Sequence, residues 1–156
     1  MPPRHAVIFS QQTTFYLELA LEQAYLAREL NEVPIGALIV RDNQVIGRGY
    51  NRTKIDNNIL AHAEIMAIQD AQKNLNNHRL VGCDLYVTIE PCLMCSGAII
   101  NSRLQRVIYG ANEPKTGACA SQYNVFANKK TNHHCQAIGP IDQSKYNQLI
   151  HEFFRK

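Results

Sequence analysis

The chain of 156 residues is 46% hydrophobic and 19% charged, which suits one globular domain able to bury a core without disulfides. No run approaches the length of a membrane-spanning helix. The N-terminus, apolar only over 6–9, lacks the basic, apolar and small-residue order of a signal peptide, so a cytoplasmic location with no membrane partner is expected. Net charge is only +3, but residues 1–102 hold 8 Lys/Arg against 10 Asp/Glu, giving −2, and residues 103–156 hold 8 against 3, giving +5. That asymmetry is compatible with a polyanionic partner meeting the C-terminal half.

Residues 1–12 show no clear period and read as a loose N-terminal arm, ahead of a single domain over 13–156. From Thr13 to Asn31, Glu18, Glu22 and Glu29 share one polar stripe. Phe15, Tyr16, Leu19, Ala20, Leu26, Ala27 and Leu30 surround it, which predicts a helix burying a broad face. Pro34 opens the strand-length run 35–40, Asp42-Asn43 supplies a turn, and residues 45–50 return as the second strand of a hairpin. After a loop rich in Asn and Lys, a helix is expected from about Ala61 to Leu75, with Ile65, Ile68 and Leu75 inward.

Residues 85–89 are the third strand, and Pro91 marks the first turn of the next helix, from Cys92 to about Ser102. That helix is apolar nearly all round, so one side should meet the sheet and the other something else, such as a second subunit. Residues 106–110 form a fourth strand. An irregular stretch leads to about Thr131, and a short fifth strand lies around 135–138. A closing helix from about Asp142 to Phe154 carries Tyr146, Leu149, Ile150 and Phe153. Helices alternating with strands, after an antiparallel hairpin, predict an α/β protein: a three-layer α/β/α sandwich around a mixed five-stranded sheet.

Five cysteines are an odd number, and Cys92 and Cys95 form a CxxC pair. In a reducing compartment that points to metal or redox chemistry rather than a disulfide framework. Cys83, Cys119 and Cys135 stand alone and read as small buried hydrophobes. His62-Ala63-Glu64 precedes Pro91-Cys92-Leu93-Met94-Cys95 by about thirty positions. One imidazole and two thiols make three zinc ligands, the count of a catalytic site whose fourth position stays open for water.

His62 and the CxxC pair each fall at or just inside a predicted helix N-terminus, where orphan N–H groups and the helix dipole stabilise thiolates. Glu64, two residues from His62, can reach the open position and move protons there. A thioredoxin-like redox site is one rival reading. A structural zinc with Cys83, Cys135, His133 or His134 as fourth ligand is another. Both leave Glu64 without a task. His5, His78 and His151 read as ordinary surface or core residues, and His133-His134 as a loop or RNA-facing feature.

His62-Ala63-Glu64 and Pro91-Cys92-Leu93-Met94-Cys95 resemble the H-x-E…P-C-x-x-C signature of the zinc nucleobase deaminases. It places the chain in the cytidine deaminase-like superfamily. Val33-Pro34-Ile35-Gly36-Ala37, Gly49-Tyr50-Asn51-Arg52, the blocks 61–67 and 85–92, Lys115-Thr116-Gly117-Ala118 and Phe153-Phe154-Arg155 closely resemble the bacterial tRNA-specific adenosine deaminases. The resemblance covers about residues 13–155.

The resemblance implies a cytidine deaminase-like fold and a homodimer with one Zn²⁺ per subunit. It also implies hydrolysis of the wobble adenosine, tRNA position 34 in the anticodon loop, to inosine and ammonia. It assigns the metal to His62, Cys92 and Cys95 and proton transfer to Glu64. The flipped base falls to Asn51, with Ala63, Pro91 and Glu113 also in the substrate site. A single-stranded loop base is reachable because it can be splayed into a pocket. Arg52, Lys54, Lys115, Lys129, Lys130, Arg155 and Lys156 are candidate phosphate contacts that would as a group make binding weaken with salt.

Two departures stand out. The loop before the histidine, usually like His-Asp-Pro-Thr, is Asn57-Asn58-Ile59-Leu60, and Glu113 replaces a common Asp. Both touch substrate loops rather than the metal. A deaminase of a free base or nucleoside, such as guanine or cytidine, is therefore the alternative. An RNA-binding protein without catalysis is a third reading, opposed by the intact His62, Glu64, Cys92 and Cys95.

Overall fold

The computed structural model describes the backbone of residues 4–155 and the side chains of residues 10–155. Helix α1 (Arg4–Glu29) leads into the hairpin β1 (Gly36–Arg41) and β2 (Gln44–Tyr50). Helix α2 (Ala63–Leu75), strand β3 (Asp84–Ile89), helix α3 (Leu93–Asn101) and strand β4 (Arg106–Ala111) follow. A short 3₁₀ turn (Val125–Ala127), strand β5 (Gln136–Ile138) and helix α4 (Gln143–Phe154) complete the chain. The five strands form one sheet in the order β2-β1-β3-β4-β5. β1 pairs antiparallel with β2 and β3, whereas β3–β4 and β4–β5 are parallel. The expected mixed sheet is present, and element ends match the sequence reading within about two residues except at α1.

That exception is a correction. Residues 4–12 are helical, not a loose arm; residues 1–3 lie outside the described residues. The chain holds neither Gly nor Pro from Arg4 to Asn31, so a helix nucleated where it packs on the sheet extends backwards at little cost. The buried stripe of α1 is also narrower than expected. Tyr16, Leu17, Ala20, Ala24 and Ala27 are buried, while Phe15, Leu26 and Leu30 are exposed.

Strand alternation divides the core between two layers. Leu38, Val40, Tyr86 and Ile108 face α1 and α4, packing with Tyr16, Leu17, Ala20 and Tyr146. Ala37, Ile39, Leu85, Val87, Val107 and Tyr109 face the opposite layer, with Ala63, Ala67, Ala71 and Ile99 from α2 and α3. α2 presents Ala63, Ala67 and Ala71 together with the expected Ile68, with Leu75 partly buried against them and Ile65 only half-buried, because it lies almost on the backbone of β2. A Cβ on Gly49 would collide with the Ala63 carbonyl and the Ala67 amide, and one on Gly47 would sit 2.8 Å from the Ala71 Cβ. This close approach sets the depth of the α2 N-terminus, where the chemistry-bearing residues stand.

Candidate active site

Because β1 runs against both neighbours, one edge of the sheet collects its start and the ends of β2, β3 and β4. Ile35, Asn51, Glu90 and Asn112 flank those strand ends, and α2 and α3 both begin there. His62 is the N-cap residue of α2, Cys92 that of α3, and Cys95 lies in the first turn of α3. Neither cap residue makes a side-chain capping hydrogen bond. Their side chains turn toward each other instead.

Cys92 Sγ is 3.6 Å and Cys95 Sγ 3.5 Å from His62 Nδ1. The three ligand atoms lie within 4.8 Å of one another, and this is the His/Cys/Cys group among the described residues that can hold a metal ion. A soft donor set of one imidazole and two thiols on helix N-termini fits zinc. The hydrogen bond from the Cys95 thiol, reinforced by the one to His62, draws Cys92 down to about 4 against the effect of burial. Cys95 shifts strongly upward through the same bond and its own burial. The pair thus favours a thiolate at Cys92 and a thiol at Cys95. A metal ion would displace the second thiol proton.

Cys83, Cys119 and Cys135 are buried in the core below the sheet. Burial raises all three thiols, Cys135 to about 12. They are inert hydrophobes, and none joins the His62 group as a fourth ligand.

Glu64 is 4% exposed. Burial is the main force lifting its carboxyl to about 7, opposed by its own backbone N–H and by His62. A carboxyl poised there holds and returns a proton near neutrality. It lines a cavity of about 90 Å³ with Ile35, His62, Ile89, Glu90, Cys92, Glu113 and Thr116.

The other expected residues are placed unequally. Ala63 and Pro91 are buried beside His62 and Cys92. Glu113 is in the cavity wall, and its Oε1 accepts the Lys115 N–H at 2.9 Å. Asn51 is buried, and its N–H donates to the carbonyl of Ile35, a wall residue, at 3.2 Å. Arg52 is held inside its own loop by Asp56, at 3.0 and 3.1 Å, and by the Tyr50 hydroxyl at 2.6 Å. Lys54, Lys115 and Arg155 are exposed. Lys115 borders a second, wider cavity of about 480 Å³ with Glu113, Thr116, His151 and Phe154. Lys129 and Lys130 are exposed on the loop after β4, and Lys156 lies outside the described residues.

Two residues that matter were not singled out from the sequence. Glu90, 3% exposed, accepts the Glu113, Cys119, Ala120 and Ser121 N–H groups at 2.8–3.0 Å, and the Ser121 hydroxyl. Burial raises its pKa, but the Ser121 hydroxyl and these N–H groups outweigh it, so the carboxyl stays ionised below its usual range. It folds the loop 113–121 over the site, where Ala118 N–H meets the Pro91 carbonyl at 2.8 Å.

Glu32, fully buried, accepts the Lys54 and Ile55 N–H groups at 3.0–3.2 Å and anchors the loop between Asn51 and His62. In sequence each is one acid beside an apolar run. The only available signal was a charge at the border of a buried strand.

The chain matches the family model described as MafB19-like deaminase over residues 10–156. It is 43% identical over 145 residues to the tRNA-specific adenosine deaminase of Agrobacterium fabrum, covering 93% of this chain and 95% of that protein. The chain belongs to the tRNA-specific adenosine deaminase family. Among solved structures, one from a study of A-to-I editing by tRNA deaminases at the wobble position of transfer RNA has a TM-score of 0.83. It is 43% identical and covers 87% of this chain and 99% of that one. The guanine deaminase of Bacillus subtilis is 38% identical with a TM-score of 0.61, over 64% of each chain.

The segment Asn57–Leu60, which departs from the sequence resemblance, is exposed, with Ile59 81% and Leu60 51% accessible. The loop is closed by Arg52 N–H to the Ala61 carbonyl at 2.9 Å. None of its residues lines the cavity of about 90 Å³, whose wall includes His62 and Cys92. No helix among the described residues is long and apolar enough to cross a membrane.

Proposed function

We propose that this protein deaminates the wobble adenosine of a tRNA anticodon loop to inosine, consuming water and releasing ammonia. The observation that carries the reading is buried Glu64 beside His62, Cys92 and Cys95 in one small cavity. His62, Cys92 and Cys95 would hold one zinc ion per subunit. When bound, zinc lowers the pKa of water to about 7 and so supplies hydroxide at neutral pH.

Glu64 would take up the proton released when water is activated and would deliver it to N1 of the adenine. It then passes a proton to the amino group, which leaves as ammonia. Asn51, Ala63, Pro91 and Glu113 orient the base, and the cavity's size demands that it be unstacked first. Lys54, Lys115 and Arg155 contact phosphates, while Arg52 serves mainly to rigidify its loop.

Residues 13–156 act as one deaminase unit, and a tRNA substrate places it in the cytoplasm. Two copies form a homodimer through α3, a mostly apolar helix that leaves Leu93 51% exposed. The likeness to a guanine deaminase motivates a second reading, a free-base substrate, but it spans only 64% of the chain.

The test is incubation of zinc-loaded protein with an anticodon stem-loop carrying a wobble adenosine, beside a panel of free bases. Inosine is sought by mass spectrometry. Absence of inosine with one zinc bound per chain refutes the assignment, and faster ammonia release from guanine or cytidine favours the second reading. Cys92→Ala should lose the metal, and removal of zinc by a chelator should abolish turnover until zinc is restored.

A further inference from the structure

A separate cavity of about 450 Å³ lies at the opposite edge of the sheet. β3, β4 and β5 begin there, whereas the candidate active site stands where β3 and β4 end. Six residues of strand separate the two by about 20 Å. The cavity wall carries Arg79, Arg103, Gln105, His133 and His134 and contains no Asp or Glu.

Arg41, Arg52 and Arg106 pair with Asp42, Asp56 and Asp84 respectively. Neither Arg79 nor Arg103 has an ion pair or side-chain hydrogen bond among the described residues. Two unpaired guanidiniums in one concavity repel each other unless an anion lies between them. The His133 ring is fixed beside them, its Nε2 2.7 Å from the Leu104 carbonyl.

The backbone supplies an independent pointer. Arg103 adopts φ 67°, in the left-handed region. Its N–H bonds the Ile100 carbonyl at 3.1 Å, and the Leu104 N–H bonds the Ile99 carbonyl at 3.3 Å. This is the helix-ending arrangement in which glycine is ordinarily found, because a Cβ is disfavoured there. Arginine occupies a position where its backbone is less stable than glycine's, and its side chain lines the cavity. Residues held in such conformations cluster at ligand sites.

We propose that this cavity is a phosphate-binding site distinct from the deamination site. Arg79 and Arg103 supply forked charged donors and Gln105 a neutral one, a donor set suited to tetrahedral oxyanions. The phosphate is either a backbone group of the RNA substrate or a free phosphate.

Full-length, zinc-loaded protein is titrated with inorganic phosphate at constant ionic strength by calorimetry, using wild type, Arg103→Gly and Arg79→Gln. Tm is measured in chloride. Arg103→Gly restores the residue that the left-handed position prefers, so Tm holds or rises while phosphate affinity falls at least about tenfold. A purely structural Arg103 gives the opposite pair of results, a lower Tm with unchanged phosphate binding, and overturns the proposal.

Binding of full-length tRNA separates the two sources. If the RNA backbone is the ligand, Arg103→Gly weakens tRNA binding and lowers the slope of log K against log salt by about 1. Turnover at saturation is then unchanged. If free phosphate is the ligand, only the phosphate titration responds. Absence of saturable phosphate binding together with unchanged tRNA binding in both variants also overturns it. The phosphate titration does not depend on which base is deaminated.

Discussion

Replacing Glu90 by glutamine keeps the side chain's volume and removes one acceptor oxygen. In the native protein Oε2 accepts the Cys119, Ala120 and Ser121 N–H groups at 3.0, 2.8 and 3.0 Å. Oε1 accepts the Glu113 N–H at 3.0 Å and the Ser121 hydroxyl. Glutamine can keep its oxygen toward the three N–H groups, but its NH₂ then faces the Glu113 N–H, donor against donor.

Bonds to a charged acceptor contribute about 1.5–3 kcal/mol and neutral ones about 1, and an orphaned buried donor costs about 1–3. Relief of burying a charge offsets part of this, so the net loss should be about 3 kcal/mol. Urea unfolding of zinc-loaded protein should show a lower midpoint at unchanged slope. Turnover of the stem-loop should fall by at least about tenfold as the 113–121 loop loosens over the cavity. Metal content should stay at one zinc per chain, because none of the three ligands is touched. A stability loss under about 0.5 kcal/mol, the scatter of neutral surface changes, with native turnover, would show that the Glu90 bonds do not organise the site.

Gly49→Ala drives a methyl into the Ala63 carbonyl and the Ala67 amide, so α2 must shift. We expect a loss of about 1–3 kcal/mol and weaker zinc retention in a chelator competition; native retention would contradict the role of this contact. Glu32→Gln should speed hydrogen exchange at Lys54 and Ile55 and raise KM for the stem-loop more than it lowers kcat, whereas unchanged exchange at both amides counts against the anchor.

In metal-free protein Glu64 is lifted to about 7 by burial, so the folded state binds more protons than the unfolded chain between the ordinary carboxyl pKa and 7. Stability therefore falls as pH rises through that window. Glu64→Gln should escape this loss, being more stable than wild type at pH 8 and no longer so at pH 4. Parallel chemical-denaturation curves for the two proteins at both pH values test it. In the zinc-loaded protein the same variant should bind stem-loop and yield no inosine.

The elements were legible where periodicity is strong. The run 35–40 and the run 85–89 are strands buried on both faces, and α4 shows its stripe through Tyr146 and Leu149. The start of α1 was not legible, since polar and apolar residues before Thr13 carry no period and helix there depends on extension from a packed segment. The alanine face of α2 was equally hidden. It answers Gly47 and Gly49, two small residues some twenty positions earlier that act only when strand and helix meet.

The candidate metal group and the carboxyl beside it were legible in the sequence alone, because His62, Glu64, Cys92 and Cys95 sit at spacings that put each at a helix start, and local structure suffices to set them there. What holds the walls was decided by tertiary structure. Glu32 reaches a loop 22 residues away, and Glu90 a loop 23–31 residues away. A buried carboxylate gains its meaning from the N–H groups that close around it, and their identity depends on how the chain returns. Arg79 and Arg103 show the same limit. Apart in sequence they are two surface charges, and only the common edge of β3, β4 and β5 makes them one cavity wall.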